Sequence, residues 1–173
     1  MNYKPNEYYP TIEEHYKISK IFDNSVYEID ILDTGDDEEY SEFLDIWLKF
    51  SRNIILVFSI NDYESFEKIK RIHDKILLTK EKIIMILVGN KLDLENERVV
   101  SYSEAKELAD SWRVRYFEVS SKNAECQKIF QIIIKDIIDY HSIIKPDPPC
   151  CPYCFPCNYL FLEICRYLCS CFL

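Results

Sequence analysis

The run 83–89, Ile-Ile-Met-Ile-Leu-Val-Gly, passes without a break into Asn90, Lys91, Leu92 and Asp93. Polar side chains at the carboxyl end of a buried strand stand where open α/β sheets hold their ligands. A carboxylate such as Asp93 accepts two hydrogen bonds from a base edge with adjacent N–H donors, which guanine has and adenine lacks. Asn90 would bond the other side of such a base, and the Lys91 stem would lie across its plane. Alone, the four residues are equally a polar turn; the buried strand ahead of them favours the ligand site. A second such place is 33–40, Asp-Thr-Gly-Asp-Asp-Glu-Glu-Tyr, which follows the apolar run 26–32. An acidic loop there suits a divalent cation and, through it, a phosphate. Alone, Asp33 is equally a turn former.

The cysteines form a third group. Seven of the eight lie between residues 150 and 171, and only Cys126 lies in the body. A disulfide-stapled fold spreads its cysteines over the core, so the body reads as reduced, cytosolic protein. Cys151, Cys154 and Cys157 have the C-x2-C-x2-C spacing of a zinc site, with Cys150 as a fourth ligand. The second pair that most zinc sites show is missing. S-acylation of Cys150, Cys151, Cys154, Cys157, Cys165, Cys169 and Cys171 beside an apolar segment is therefore the favoured reading, and two acyl chains would anchor stably. Leu160, Phe161, Ile164 and Leu168 give that segment an apolar face if it is helical. Glu163 and Arg166 make it too charged, and its length too short, for a membrane span. Ser170-Cys171-Phe172-Leu173 places the last cysteine one position late for prenylation.

The 173 residues are 48% hydrophobic and 29% charged, enough for one domain with a real core. A net charge of −9 excludes the basic face of a nucleic-acid binder and suits a basic protein partner. Only Gly35 and Gly89 are glycines. Phosphate loops of the G-x-x-x-x-G-K-[ST] and G-x-G-x-x-G types need closely spaced glycines, so neither occurs in this sequence. The first ten residues contain no apolar signal-peptide core.

The elements that must position these residues alternate. Residues 12–22 and 26–32 read as a hairpin about the turn at 23–25. Residues 38–50 set Phe43, Leu44, Trp47 and Leu48 on one helical face. The run 53–60 reads as a strand buried on both faces, and 63–79 as a helix. A helix over 103–113 opens with Ser103 as its cap and Lys106 where a glutamate would be ideal. A short strand at 115–120 and a long isoleucine-rich helix over 124–142 follow. The prolines after Lys145 end that helix and divide a body, 1–145, from a Pro/Cys-rich apolar tail, 146–173. Strands alternating with helices imply a mostly parallel sheet covered on both faces.

In order, Tyr8-Tyr9-Pro10-Thr11-Ile12-Glu13-Glu14, Asp33-Thr34-Gly35, Asn90-Lys91-Leu92-Asp93 and Glu118-Val119-Ser120-Ser121-Lys122 resemble the Ras-like small GTPases, over about residues 2–144. The resemblance implies an α/β fold, a three-layer sandwich with a mostly parallel sheet. It implies Thr11 and Asp33 as Mg2+ residues, and Asn90, Lys91 and Asp93 as guanine readers. Ser120, Ser121 and Lys122 would close over the base. Tyr8, Pro10, Thr11, Ile12, Glu13 and Glu14 would form the effector segment. GTP or GDP with Mg2+ would be the ligand, and effectors or regulators with a basic surface the partners.

The sequence departs from the family twice. It starts at the first switch, so the family's central first strand, phosphate loop and first helix are expected to be missing. That loop supplies backbone N–H groups and a lysine to the phosphates. Removing a central strand also leaves unpaired backbone groups on its neighbours; the apolar tail is one way to fill the gap. The second departure is at Asp36, where the family has a flexible glycine, and Asp37, where it has the glutamine that positions water. An ionised aspartate donates no hydrogen bond and adds charge beside a polyanion. The expectation is a signalling protein impaired in GTP binding and hydrolysis, acting as an effector-binding module on the cytoplasmic face of a plasma membrane or endomembrane. The alternatives are a membrane-attached GTP-binding switch whose phosphate loop is missing only from this sequence, and a scaffold with a metal-binding cysteine tail.

Overall fold

A computed structural model describes residues 13–34, 48, 53–79, 83–122, 125–143 and 159–166. Ten residues, Glu13–Phe22, form β1, and Ser25–Thr34 form β2. They pair antiparallel from Glu13 opposite Thr34 to Phe22 opposite Ser25. The two residues between them, Asp23 and Asn24, have φ of 48° and 62°. A two-residue hairpin loop of type I′ needs positive φ at both positions, and Asp and Asn tolerate it best after glycine. The expected hairpin is therefore present. Lys135, far along the chain, reaches its tip with a 2.5 Å bond to Asp23.

The next elements are β3 (Asn53–Ser59), α1 (Tyr63–Thr79), β4 (Ile84–Asn90), α2 (Tyr102–Trp112), β5 (Arg115–Glu118) and α3 (Glu125–Ile143). Every residue of β3 is buried, as its continuous apolar run requires. The helix expected over 38–50 lies outside the described residues except for Leu48, which is helical and fully buried. The start of α2 differs from expectation. Its cap is Ser101, whose hydroxyl accepts from the Glu104 N–H at 3.1 Å. Ser101-x-x-Glu104 is the better capping-box spacing, and Ser103 sits inside the first turn.

The tail contributes the sixth strand. Tyr159–Arg166 form β6, and the sheet order is β1-β2-β6-β3-β4-β5. β6 runs parallel to both neighbours. Residues 159–165 lie opposite 28–34 of β2, and 162–166 lie opposite 53–57 of β3. The central position is thus filled from the far end of the sequence. The helix expected around Leu160, Phe161, Ile164 and Leu168 is a strand over 159–166. The physical reason is the ladder: β2 and β3 do not pair with each other, and a strand between them satisfies the inner backbone groups of both.

Two cores flank the sheet. Ile29 and Ile31 of β2, Ile55 and Val57 of β3, and Ile86 and Val88 of β4 pack on α3 through Phe130, Ile133, Ile134 and Ile137. On the other face Ile54, Leu56, Phe58 and Leu87 meet Phe66, Ile69 and Ile76 of α1 and Ala105 and Ala109 of α2. α1 and α2 also meet through His73 and Trp112, whose rings stack with centroids 3.8 Å apart.

Candidate nucleotide site

The parallel strands β2, β6, β3 and β4 all end on one side of the sheet, the side where such folds bind ligands. At the end of β4, Asn90 is 1% exposed and Lys91 adopts the left-handed backbone, φ 65° and ψ 37°. That conformation is uncommon for a residue with a Cβ and bends the chain sharply out of the strand. A 3-10 segment, Leu92–Glu97, follows and puts Asp93 in its first turn.

Two backbone bonds tie this loop to the one after β5. The Val119 N–H donates to the Gly89 carbonyl at 2.8 Å, and the Leu92 N–H donates to the Val119 carbonyl at 3.0 Å. They bring Ser120 beside Asp93. The Ser120 hydroxyl donates to Asp93 Oδ1 at 2.6 Å, and Lys122 Nζ stands 2.8 Å from Asp93 Oδ2. The Lys122 ammonium and then the Ser120 hydroxyl hold the Asp93 carboxyl below the usual carboxylate range. Asp93 in turn raises the Lys122 ammonium. The carboxylate is therefore ionised and oriented, with acceptor lone pairs left for a base edge. Ser121, in the turn between Ser120 and Lys122, is partly buried.

A network absent from the sequence reading braces these loops. Arg98 Nη1 and Nη2 donate to Glu118 Oε1 and Oε2 at 2.9 and 2.8 Å. Arg98 Nε also donates to Glu95 at 2.9 Å, and Nη1 to the Val100 carbonyl at 3.0 Å. The Tyr116 hydroxyl donates to Glu118 Oε1 at 2.5 Å. Glu118 and then Glu95 raise the Arg98 guanidinium, while burial and then Glu118 push the Tyr116 phenol far up. Glu95 and Arg98 at i and i+3 are the one local signal the sequence offers for it. Gly89 lies under the same tyrosine. A Cβ there would meet Tyr116 Oη at 2.7 Å, Ile60 Cγ2 at 3.1 Å and Phe58 Cζ at 3.2 Å. Here the glycine serves close packing at the base of the loop.

Asp33 lies near the end of β2, 3% exposed. A buried carboxylate fits Mg2+ held mainly by phosphate and water. Among the described residues no three His, Cys, Asp or Glu side chains gather as a metal site. Thr11, Tyr8, Pro10, Ile12, Asp36 and Asp37 lie outside the described residues, as do Cys150, Cys151, Cys154, Cys157, Cys169 and Cys171. Glu13 and Glu14 begin β1, an edge strand. Cys165 lies in β6, opposite Thr34 and Leu56. Among the described residues no helix is long and apolar enough to cross a membrane.

The model of the Ras family matches residues 2–139. The chain belongs to the Ras family. Among its relatives, a Ras-like protein RAS2 of Hydra vulgaris is 47% identical over 118 residues, covering 67% of this chain and 62% of that protein. Protein ras-1 of Neurospora crassa is 40% identical over 135 residues, covering 76% and 63%. A Ras-like protein 2 of Mucor circinelloides is 36% identical over 135 residues, covering 76% and 68%. The chain thus spans about three-fifths to two-thirds of the length of these Ras-like relatives.

Proposed function

We propose that this Ras-family chain is a signalling protein that keeps the guanine-reading half of its nucleotide site and is impaired in the phosphate half. The observation that carries this is Asp93, ionised and aimed by Ser120 and Lys122 beside the end of β4, where Asn90 is buried. Asn90, Lys91 and Asp93 read the base, and Ser120, Ser121 and Lys122 close over it. Asp33, with Thr11, holds Mg2+ when GTP or GDP is bound. The impairment rests on two residues of the sequence: Asp36 and Asp37 replace the groups that sense γ-phosphate and align water. Hydrolysis of GTP is accordingly weak or absent.

The start of the edge strand, Glu13 and the exposed Glu14, together with Tyr8, Pro10, Thr11 and Ile12 before it in sequence, is the segment that effectors or regulators of basic character bind. The chain's net charge of −9 supports that polarity. Acylation of cysteines in 146–173 would hold the protein to the cytoplasmic face of a membrane. Cys150, Cys151, Cys154 and Cys157 lie before β6 in sequence, so their acylation is compatible with the strand staying in the sheet. The test is a titration of Asp93→Asn against the full wild-type chain with a fluorescent guanine nucleotide and Mg2+. Asparagine has nearly the same shape but replaces one acceptor oxygen by a donor, so guanine preference should vanish while folding is kept. Equal guanine preference in both chains would refute the assignment.

A further inference from the structure

We propose that Arg98 is a positioning residue for base recognition: by clamping the 3-10 segment to the end of β5 it fixes where Asp93 stands, and so how sharply the site tells guanine from other purines. The inference rests on the guanine reading above and names what makes that reading selective. The segment that carries Asp93 has little else to hold it. None of the residues Leu92–Glu97 is buried, and Leu94 departs from helical geometry with φ −102° and ψ 34°. A 3-10 turn also has poorer hydrogen bonds than an α-helix. Core packing therefore does not fix Asp93, and polar ties at the two ends of the segment must. The entrance is held by the left-handed turn at Lys91 and by the Leu92 N–H on the Val119 carbonyl at 3.0 Å. The exit is Arg98, whose backbone N–H closes on the Glu95 carbonyl at 3.2 Å.

The Arg98 side chain spends its whole fork at this exit. Nε donates to Glu95 Oε2 at 2.9 Å. Nη1 donates to Glu118 Oε1 and to the Val100 carbonyl, and Nη2 to Glu118 Oε2 and to Glu95 Oε2. These acceptors account for every N–H of the guanidinium. Glu95 lies in the segment just past Asp93, and Glu118 is the last residue of β5, opposite Gly89 of β4. Asn90 follows Gly89, and Ser120 follows soon after Glu118. One side chain thus ties the segment bearing Asp93 to the strand ends that deliver its partners. Tyr116 holds Glu118 from the other side with a 2.5 Å bond from its hydroxyl. Burial and then Glu118 push that phenol far up, so it remains a donor. An arginine bridging two carboxylates fixes angle as well as distance, which the point charge of a lysine does not. Angle matters at Asp93, because its two oxygens must meet two adjacent N–H groups of the base together and such bonds weaken steeply when misaligned.

The test compares GDP with IDP, whose base lacks the 2-amino group, each with Mg2+, by competition against a fluorescent guanine nucleotide on the full chain. Both carry the same phosphates, so the ratio of their affinities reports the base alone. Wild type should prefer GDP by about tenfold or more, the scale of one bond to a charged group. Arg98→Met should cut that preference to about threefold or less, since a displaced carboxylate loses the second bond. Arg98→Lys, which keeps the charge and loses the fork, should fall between the two, and it carries the comparison if Arg98→Met does not fold. Ile137→Val, in the core on the other face of the sheet, should lower the melting temperature and leave the preference at the wild-type value. An Arg98→Met chain, or an Arg98→Lys chain in its place, with the wild-type preference overturns the inference and leaves the guanine reading intact. So does an Ile137→Val chain that loses the preference to the same extent, because the ratio would then follow stability alone. A wild-type chain that binds GDP and IDP equally, or neither, overturns the guanine reading itself, and the inference with it.

Discussion

Proline at position 164 should unseat the central strand. Ile164 is bracketed by Asp33 on β2 and Ile55 on β3. In a strand paired on both sides, successive residues bond alternately to one neighbour and the other, so every N–H is used. Proline removes that donor and leaves a carbonyl on a neighbouring strand buried and unsatisfied, a cost of about 1–3 kcal/mol. The ring also occupies the space of the ladder, which is why proline is confined to edges and bulges. Together the loss should be about 3 kcal/mol or more, out of a total stability of about 5–15 kcal/mol. For a chain of this size each kcal/mol moves the midpoint by about 2–4 °C, so Ile164→Pro should melt about 10 °C below wild type. Thermal denaturation followed by circular dichroism measures it, with Ile164→Val as the control that keeps the backbone bonds. A proline variant melting within about 1 °C of that control would refute the placement of the tail in the sheet, since nothing outside the ladder makes position 164 intolerant of proline.

Three further outcomes follow from the loops. Gly89→Ala should cost about 1–3 kcal/mol by urea unfolding, because the new methyl meets Tyr116 Oη at 2.7 Å, and Gly89→Ala with Tyr116→Phe should recover part of it. Arg98→Met should cost about 3 kcal/mol, since it strands the Glu118 carboxylate, whose side chain is only 10% exposed; adding Glu118→Gln should reduce the loss, as denaturant titration of both variants will record. The Asp93–Lys122 pair has a pH window. The Asp93 carboxyl is depressed in the folded chain, so its contribution is present above the ordinary value of 3.8 and fades as pH falls below it. The Lys122 ammonium is raised, so its contribution is present below 10.5 and fades as pH climbs beyond it. Lys122→Met should flatten both flanks of the stability–pH curve, and an unchanged curve would remove the pair from the account.

Much of the body was legible because its signals are local. The positive φ values of Asp23 and Asn24 are what a short polar turn between alternating runs demands. The unbroken apolar runs of β3 and β4 announced strands covered on both faces. The cap of α2 was misplaced by two residues because Ser101 and Ser103 both fit a capping serine, and the decisive partner was Glu104, not Lys106. The Arg98–Glu118 clamp was hidden because its partners are 20 residues apart and meet only when β5 lies beside β4. β6 was hidden more deeply. A short apolar segment fits a helix or a strand equally well, and only its fit between two distant strands decides between them. No residue within 159–166 states that choice; the edges of β2 and β3 do.

The central claim is that Asn90 and Asp93 read a guanine base. The most direct measurement is competition of GDP and ADP, each with Mg2+, against a fluorescent guanine nucleotide on the full chain. The account predicts displacement by GDP and far weaker displacement by ADP. Equal displacement by the two would contradict the reading of Asn90 and Asp93.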